Sequence, residues 1–278
     1  MNEPIRRVSN KLTKTRVLLG SPDLGRYIPE TRRMSQSVLH EMLEKYNMVY
    51  IKPCCGSLGQ GVIRVERASG STNGKRGSTP IHSESGKYSY QSGMQVHPFA
   101  DFEKAYQAIL RETRGKPYLV QKGIRLLTHG GRPFDIRVMV QRNPQGKWEA
   151  TGVAGRVAHP RKVVTNGSQG GTIYPVEVLL KPYTSPDKRK ALIAAMKRIG
   201  VSSALQLSTA YPGLQEIGVD LALDRRLAPW ILEVNTAPDP CPFTKLQDTR
   251  MLERIVRYGK VYGRTYNLKC MKAKRGRV

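Results

Sequence analysis

Apolar residues recur along this chain at two spacings, and each spacing marks a different kind of element. Val38, Met42 and Leu43, with Tyr46 close behind, stand at helical intervals and predict a helix from about Ser35 to Tyr46. Met48-Val49-Tyr50-Ile51 then reads as a strand ending at Lys52-Pro53, and a glycine-rich loop from Gly56 to Gly61 separates it from a second strand, Val62 to Val65. Residues 68–93 are rich in Ser, Gly, Thr and Lys and predict loops with short irregular strands. Asp101 caps a predicted helix running through Phe102, Ala105, Ile109 and Leu110 and stopping near Gly115-Lys116-Pro117. A second mixed half begins with a strand at Tyr118 to Ile124. Further strands are predicted at Asp135 to Gln141, Trp148 to Val157 and Thr172 to Leu179, the first two joined by a turn at Asn143 to Lys147. Ser185-Pro186 opens a helix predicted to reach about Ile199, with Gly200 as its stop, and a last helix spans about Thr244 to Tyr258. The pattern predicts an α+β protein of two mixed halves meeting near residues 115–123.

One hairpin carries more than fold information. Ile217 to Leu223 and Trp230 to Asn235 are apolar runs around a short polar stretch, Asp224 to Ala228. Paired as an antiparallel hairpin, they set Asp220 opposite Glu233, while Glu233 and Asn235 share a face. Two acids side by side on a greasy hairpin are costly unless a cation neutralises them, and all-oxygen ligation suits Mg2+ or Mn2+. Asp135 and Arg137 share a strand face, where Arg137 either pairs with Asp135 or grips a ligand anion, and Arg156 lies on the following strand. Lys52 beside the glycine loop forms a phosphate-handling arrangement, with an ordinary glycine-rich hairpin as the alternative. No Gly-Lys-Ser/Thr ends that loop and a strand follows it, which excludes a Walker loop and a dinucleotide fingerprint. Asn166 reads by default as a turn residue.

Composition narrows the class. At 278 residues with 39% hydrophobic positions the chain has material for a real core. No run approaches the roughly 18 apolar residues of a membrane span, and Met1 to Arg16 lacks a signal-peptide core, so an intracellular protein is expected. The four cysteines show no zinc spacing and are expected to be reduced. The formal net charge of +26 implies an anionic partner, and Lys269 to Arg277 is the one true basic cluster. Nothing resembles an RNA-recognition motif or a helix-turn-helix, so nucleic acid is the less favoured partner.

Taken in order, the motifs resemble the ATP-grasp fold, and specifically the endospore coat-associated YheC/YheD-type group. Those motifs are Ile51-Lys52-Pro53 with the Gly56–Gly61 loop, Leu119 to Ile124, Phe134-Asp135-Ile136-Arg137, Gly155-Arg156-Val157-Ala158 with Asn166, Asp220, and Glu233 to Pro238. The resemblance implies ATP held between two mixed α/β lobes. It divides the chain into a 1–34 segment carrying the first phosphate lysine, a 35–118 lobe with the lid loop, a 119–260 lobe with the metal site, and a basic 261–278 tail. It further implies that Lys11 and Lys52 contact phosphate, Lys14 competing for the first role, and that Gly56, Ser57, Gly59 and Gly61 close over the phosphates. Gln121, Lys122, Gly123 and Ile124 would meet adenine, and Asn166 would belong to the nucleotide site. Arg137 and Arg156 would grip the γ-phosphate or acyl-phosphate, and Asp220, Glu233 and Asn235 would hold one or two Mg2+ (or Mn2+) ions. Such enzymes activate a carboxylate by phosphorylation for attack by an amine or other nucleophile, here on an acidic peptide or another anionic acceptor. Because only about ten residues precede Lys11, the acceptor-binding part is expected to be reduced, supplied by a partner, or absent. The competing expectations are a non-catalytic ATP-binding spore-coat protein and a basic nucleic-acid-binding protein. Localisation is expected to be cytoplasmic with spore-coat association.

Overall fold

The computed structural model describes residues 7–56, 59–68, 86–160 and 170–276. They form two compact units, each with its own core. One contains residues 29–56, 59–68 and 86–125; the other combines residues 7–28 with 126–160 and 170–276. The N-terminal segment therefore belongs with the C-terminal half, and the unit boundaries fall at 28/29 and 125/126, against the expected 34/35 and 118/119.

The smaller unit is a six-stranded sheet ordered β1-β6-β2-β3-β4-β5: β1 Thr31–Arg33, β2 Met48–Pro53, β3 Ile63–Arg67, β4 Tyr88–Ser92, β5 Gln95–Phe99 and β6 Tyr118–Lys122. Two of its helices, α3 (Gln36–Tyr46) and α4 (Phe102–Thr113), start where the sequence predicts, since Ser35 Oγ accepts from Val38 N and Asp101 from Lys104 N. Leu39, Met42, Leu43 and Ile109 from the helices bury against Val49, Ile51, Ile63, Val65 and Val120, so period 3.6 meets period 2 in one core. The opposite sheet face is largely polar, with Met48 and Leu119 buried on it. Cross-strand registry aligns Thr31, Gln121, Tyr50, Arg64 and Gln91 across it.

The larger unit holds α1 (Lys11–Leu19), the short α2 (Pro22–Gly25), α5 (Val176–Leu180), α6 (Pro186–Ala210) and α7 (Arg250–Val261). Its sheet runs β12-β11-β8-β9-β10-β13, with β8 Arg132–Arg142, β9 Trp148–Val157, β10 Thr172–Tyr174, β11 Glu216–Leu223, β12 Pro229–Asn235 and β13 Lys274–Arg275; β7 (Thr128–His129) pairs with β8 off this path. Alternate residues of β8, Phe134, Ile136, Val138 and Val140, join the main core with Met196, Ile199 and Leu207 of α6. On the other face Met139 joins Ala154, Phe243 and Ile255, the last from α7.

Four sequence expectations change here. The predicted strand Thr172 to Leu179 stops at Tyr174, because Pro175 (φ −55°) turns the chain into α5, whose Leu179 packs against Gly155. The helix from Pro186 runs through Gly200 to Ala210. A Cβ at Gly200 would stand 3.0 Å from methyls of Val138 and Val140, so this glycine lets helix and sheet approach closely and is not a stop. Cys241 and Cys270 are joined as a disulfide with Cα atoms 5.3 Å apart, against the expectation of four reduced thiols; Cys54 and Cys55 remain thiols. The basic C-terminal segment supplies an edge strand, with β13 parallel to β10 and Ala273 buried.

Candidate functional site

In the larger unit the hairpin pairs as its sequence predicts. Asp220 lies opposite Glu233, with a register shift immediately after Asp220, and Gly218 lies opposite Asn235. The sheet then adds what spacing along the chain could not. Strand β8 lies between β11 and β9, which sets Arg137 opposite Asp220 and Asp135 opposite Arg156. Arg137 donates from Nε to Asp220 Oδ1 at 2.5 Å and from Nη2 to Oδ2 at 3.2 Å. Arg156 grips Asp135 in the same two-pronged way (2.7 and 2.5 Å) and reaches past it to Asp220 Oδ2 at 3.0 Å. The reading that pairs Arg137 with its strand neighbour Asp135 is therefore corrected: each arginine takes its bidentate partner from an adjacent strand. All four side chains are buried.

Buried ions persist only when pairing offsets the loss of water. Burial alone would raise the Asp220 carboxyl and lower the Arg156 guanidinium. The two arginines outweigh this and hold Asp220 below the usual carboxylate range, while Asp135 and Asp220 raise Arg156. Helix α1 contributes two lysines one turn apart. Lys11 Nζ lies 3.6 Å from Glu233 Oε1. Lys14 is only 5% exposed, and burial pushes its ammonium down to about 8 against the pull of Glu233. Asn235 Nδ2 sits 3.5 Å from Asp220 Oδ2. Three carboxylates (Asp135, Asp220 and Glu233) thus meet four cations (Lys11, Lys14, Arg137 and Arg156). The protein's own cations thus lie against the hairpin acids.

Among the described residues no three His, Cys, Asp or Glu side chains gather as a metal cage. The donors that suit a hard cation are Glu233, the amide oxygen of Asn235 and whatever share of Asp220 its arginines leave.

In the smaller unit Lys52 Nζ bonds Gln121 Oε1 at 2.6 Å, and Gln121 Nε2 bonds Thr31 Oγ1 at 3.1 Å. The backbone N–H groups of Lys122 and Gly123 bond the carbonyls of Glu30 and Met48, so these amides serve the sheet, and Ile124 is buried. Gly56, Gly59 and Gly61 all have positive φ, and a Cβ at Gly61 would lie 2.8 Å from the Tyr118 hydroxyl, so this loop needs its glycines. Ser57 and Asn166 lie outside the described residues. Sequence reasoning missed the depth at which Lys14 is buried; its place three residues after Lys11 on one helix was the available signal.

The chain matches the family described as YheC/D like ATP-grasp over residues 5–264. It belongs to the YheC/D-like ATP-grasp family. It is 27% identical over 231 residues to the endospore coat-associated protein YheD of Bacillus subtilis (strain 168), covering 82% of this chain and 48% of that protein. It is 26% identical over 214 residues to the endospore coat-associated protein YheC of the same organism, covering 76% and 55%. The chain thus spans about half the length of these curated relatives. Among solved structures it resembles that of the D-cycloserine synthetase DcsG, with a TM-score of 0.53 at 11% identity over 91% of this chain and 70% of that one. The expected ATP-grasp fold, α+β with two sheets, is thereby shown. Among the described residues no helix is long and apolar enough to cross a membrane.

Proposed function

We propose that this chain binds ATP with Mg2+ or Mn2+ and activates a carboxylate as an acyl-phosphate, which an amine or other nucleophile then attacks. The observation that carries this reading is the convergence of Arg137, Arg156, Lys11 and Lys14 on Asp220 and Glu233 of neighbouring strands in one sheet. Phosphoryl transfer asks mainly for positioning and charge stabilisation, and a rigid set of cations held by buried carboxylates supplies both. Asp135 and Asp220 fix the two guanidiniums, so their remaining N–H groups can meet phosphate oxygens without reorganising. Lys11 and Lys14 add positive charge beside them. Lys52, with the Gly56–Gly61 loop, is the phosphate contact proposed for the smaller unit, and Gln121 to Ile124 the segment proposed to border adenine. Glu233, the Asn235 amide oxygen and part of Asp220 would hold the ion, which would supply charge neutralisation to the phosphates. The acceptor is proposed to be an acidic peptide or another carboxylate, and the setting a spore coat, as the names of the relatives suggest.

A second reading, nucleotide binding without turnover, is favoured by one observation: both oxygens of Asp220 already receive guanidinium N–H groups. Calorimetry of Mg-ATP binding to the wild type and Glu233→Gln, followed by an ADP-release screen with paired acids and amines, separates the two. Under the ligase reading ADP release needs both an acid and a nucleophile and drops at least roughly a hundredfold in Glu233→Gln. Tight binding with no release across the panel favours the second reading, and coupling that survives Glu233→Gln sinks the residue assignment.

A further inference from the structure

The chain carries no acidic residue after Glu253, while Lys and Arg continue to its end. The structure folds much of this segment onto the larger unit. The Cys241–Cys270 disulfide ties it to the 3-10 helix at Cys241–Lys245, Ala273 is buried beside that helix's Phe243, and β13 extends the sheet. Arg275 Nε donates to the Lys245 carbonyl at 3.1 Å. These ties gather Lys245, Lys269, Lys272, Lys274 and Arg275 around one short helix, and among the described residues none of the five forms an ion pair. Met271, 89% exposed, and Leu268, 42% exposed, stand among them.

We propose that this surface docks an acidic polypeptide segment with interspersed apolar residues. Five cations that form no ion pair among the described residues fit a polyanion, and seating their backbone in the fold lowers the ordering cost of binding. The exposed Met271 and Leu268 fit apolar side chains placed between carboxylates. Nucleic acid fits less well, because single strands are held by bases stacking on aromatic rings. The tyrosines of this region are committed inward: Tyr258 bonds Glu149, and Tyr262 and Tyr266 both bond buried Glu216. The surface is independent of the nucleotide reading.

The full chain, titrated with a labelled Glu/Leu peptide and with a single-stranded oligonucleotide of equal charge at physiological ionic strength, tests this. The expected result is tighter binding of the peptide, weakened roughly tenfold in the triple variant Lys269→Gln/Lys272→Gln/Lys274→Gln. A control triple variant on exposed positions of α6, Lys188→Gln/Lys190→Gln/Lys197→Gln, should retain wild-type affinity, and Mg-ATP affinity should be the same in all three proteins. Equal losses in both triple variants would reduce the effect to diffuse net charge and overturn the proposal. So would tighter binding of the oligonucleotide, or no peptide binding by the wild type.

Discussion

At the residue scale the site stores unfavourable free energy at Lys14. Its pKa falls from 10.5 to about 8 through burial, and each unit corresponds to roughly 1.4 kcal/mol, so keeping it charged costs on the order of 3 kcal/mol. Lys14→Met should therefore raise stability by up to about that much at neutral pH while weakening Mg-ATP binding. The sign follows from the depressed pKa. Between about 8 and 10.5 the unfolded chain binds more protons than the folded one, so wild-type stability gains from rising pH there. The advantage of the methionine should be constant below about 8 and vanish above 10.5, as urea melts of both proteins across that range would report. A flat difference would show that the ammonium is not desolvated. Spacing alone revealed the Asp220–Glu233 pairing, because a hairpin is local. It could not reveal the arginine partners, because β8 enters between β11 and β9, strands far apart in the chain. That non-local order set the hairpin's carboxylates among the arginines of β8 and β9.

At the element scale most predicted helices and strands appear, and the misses have separate causes: Pro175 ends β10 early, and tertiary packing overrides a local signal at Gly200. Gly200 reads as a helix stop, yet α6 continues because the glycine admits Val138 and Val140. Gly200→Val should lower stability by roughly 2 kcal/mol through overpacking, whereas replacing a merely flexible mid-helix glycine would stabilise; thermal melts distinguish these. The C-terminal tail was legible as charge but not as structure, since a two-residue edge strand leaves no periodicity. Its seat depends on the Cys241–Cys270 bond. Alkylation of the unreduced, denatured protein should label only Cys54 and Cys55, with labelling of all four after reduction. Four labels without reductant would return the cysteines to the reduced state that the sequence suggests.

At the scale of the whole molecule, the chain leaves one unit at residue 28, builds a second from residue 29 to 125, and returns. Sequence reasoning saw two halves in series because hydrophobic periodicity carries no record of which core an element joins. The N-terminal segment was misplaced for that reason: Leu18, Leu24 and Ile28 bury in the core of the larger unit. The returning path has a consequence for folding. Strands β1 and β6, near the two ends of the inserted segment, are antiparallel neighbours, with Thr31 opposite Gln121, so its ends lie at one edge of its own sheet. Its apolar core closes between that sheet and α3 and α4, and the other sheet face carries Thr31, Tyr50, Lys52, Arg64, Gln91 and Gln121. A fragment of residues 29–125 should therefore fold alone. Cooperative thermal unfolding by circular dichroism and dispersed amide resonances are the expected signs. A fragment lacking both would mean that this core needs the rest of the chain. The reverse cut should behave differently: removing residues 7–28 strips Leu18, Leu24 and Ile28 from the larger core together with Lys11 and Lys14, so the truncated chain should lose stability and nucleotide affinity in one step.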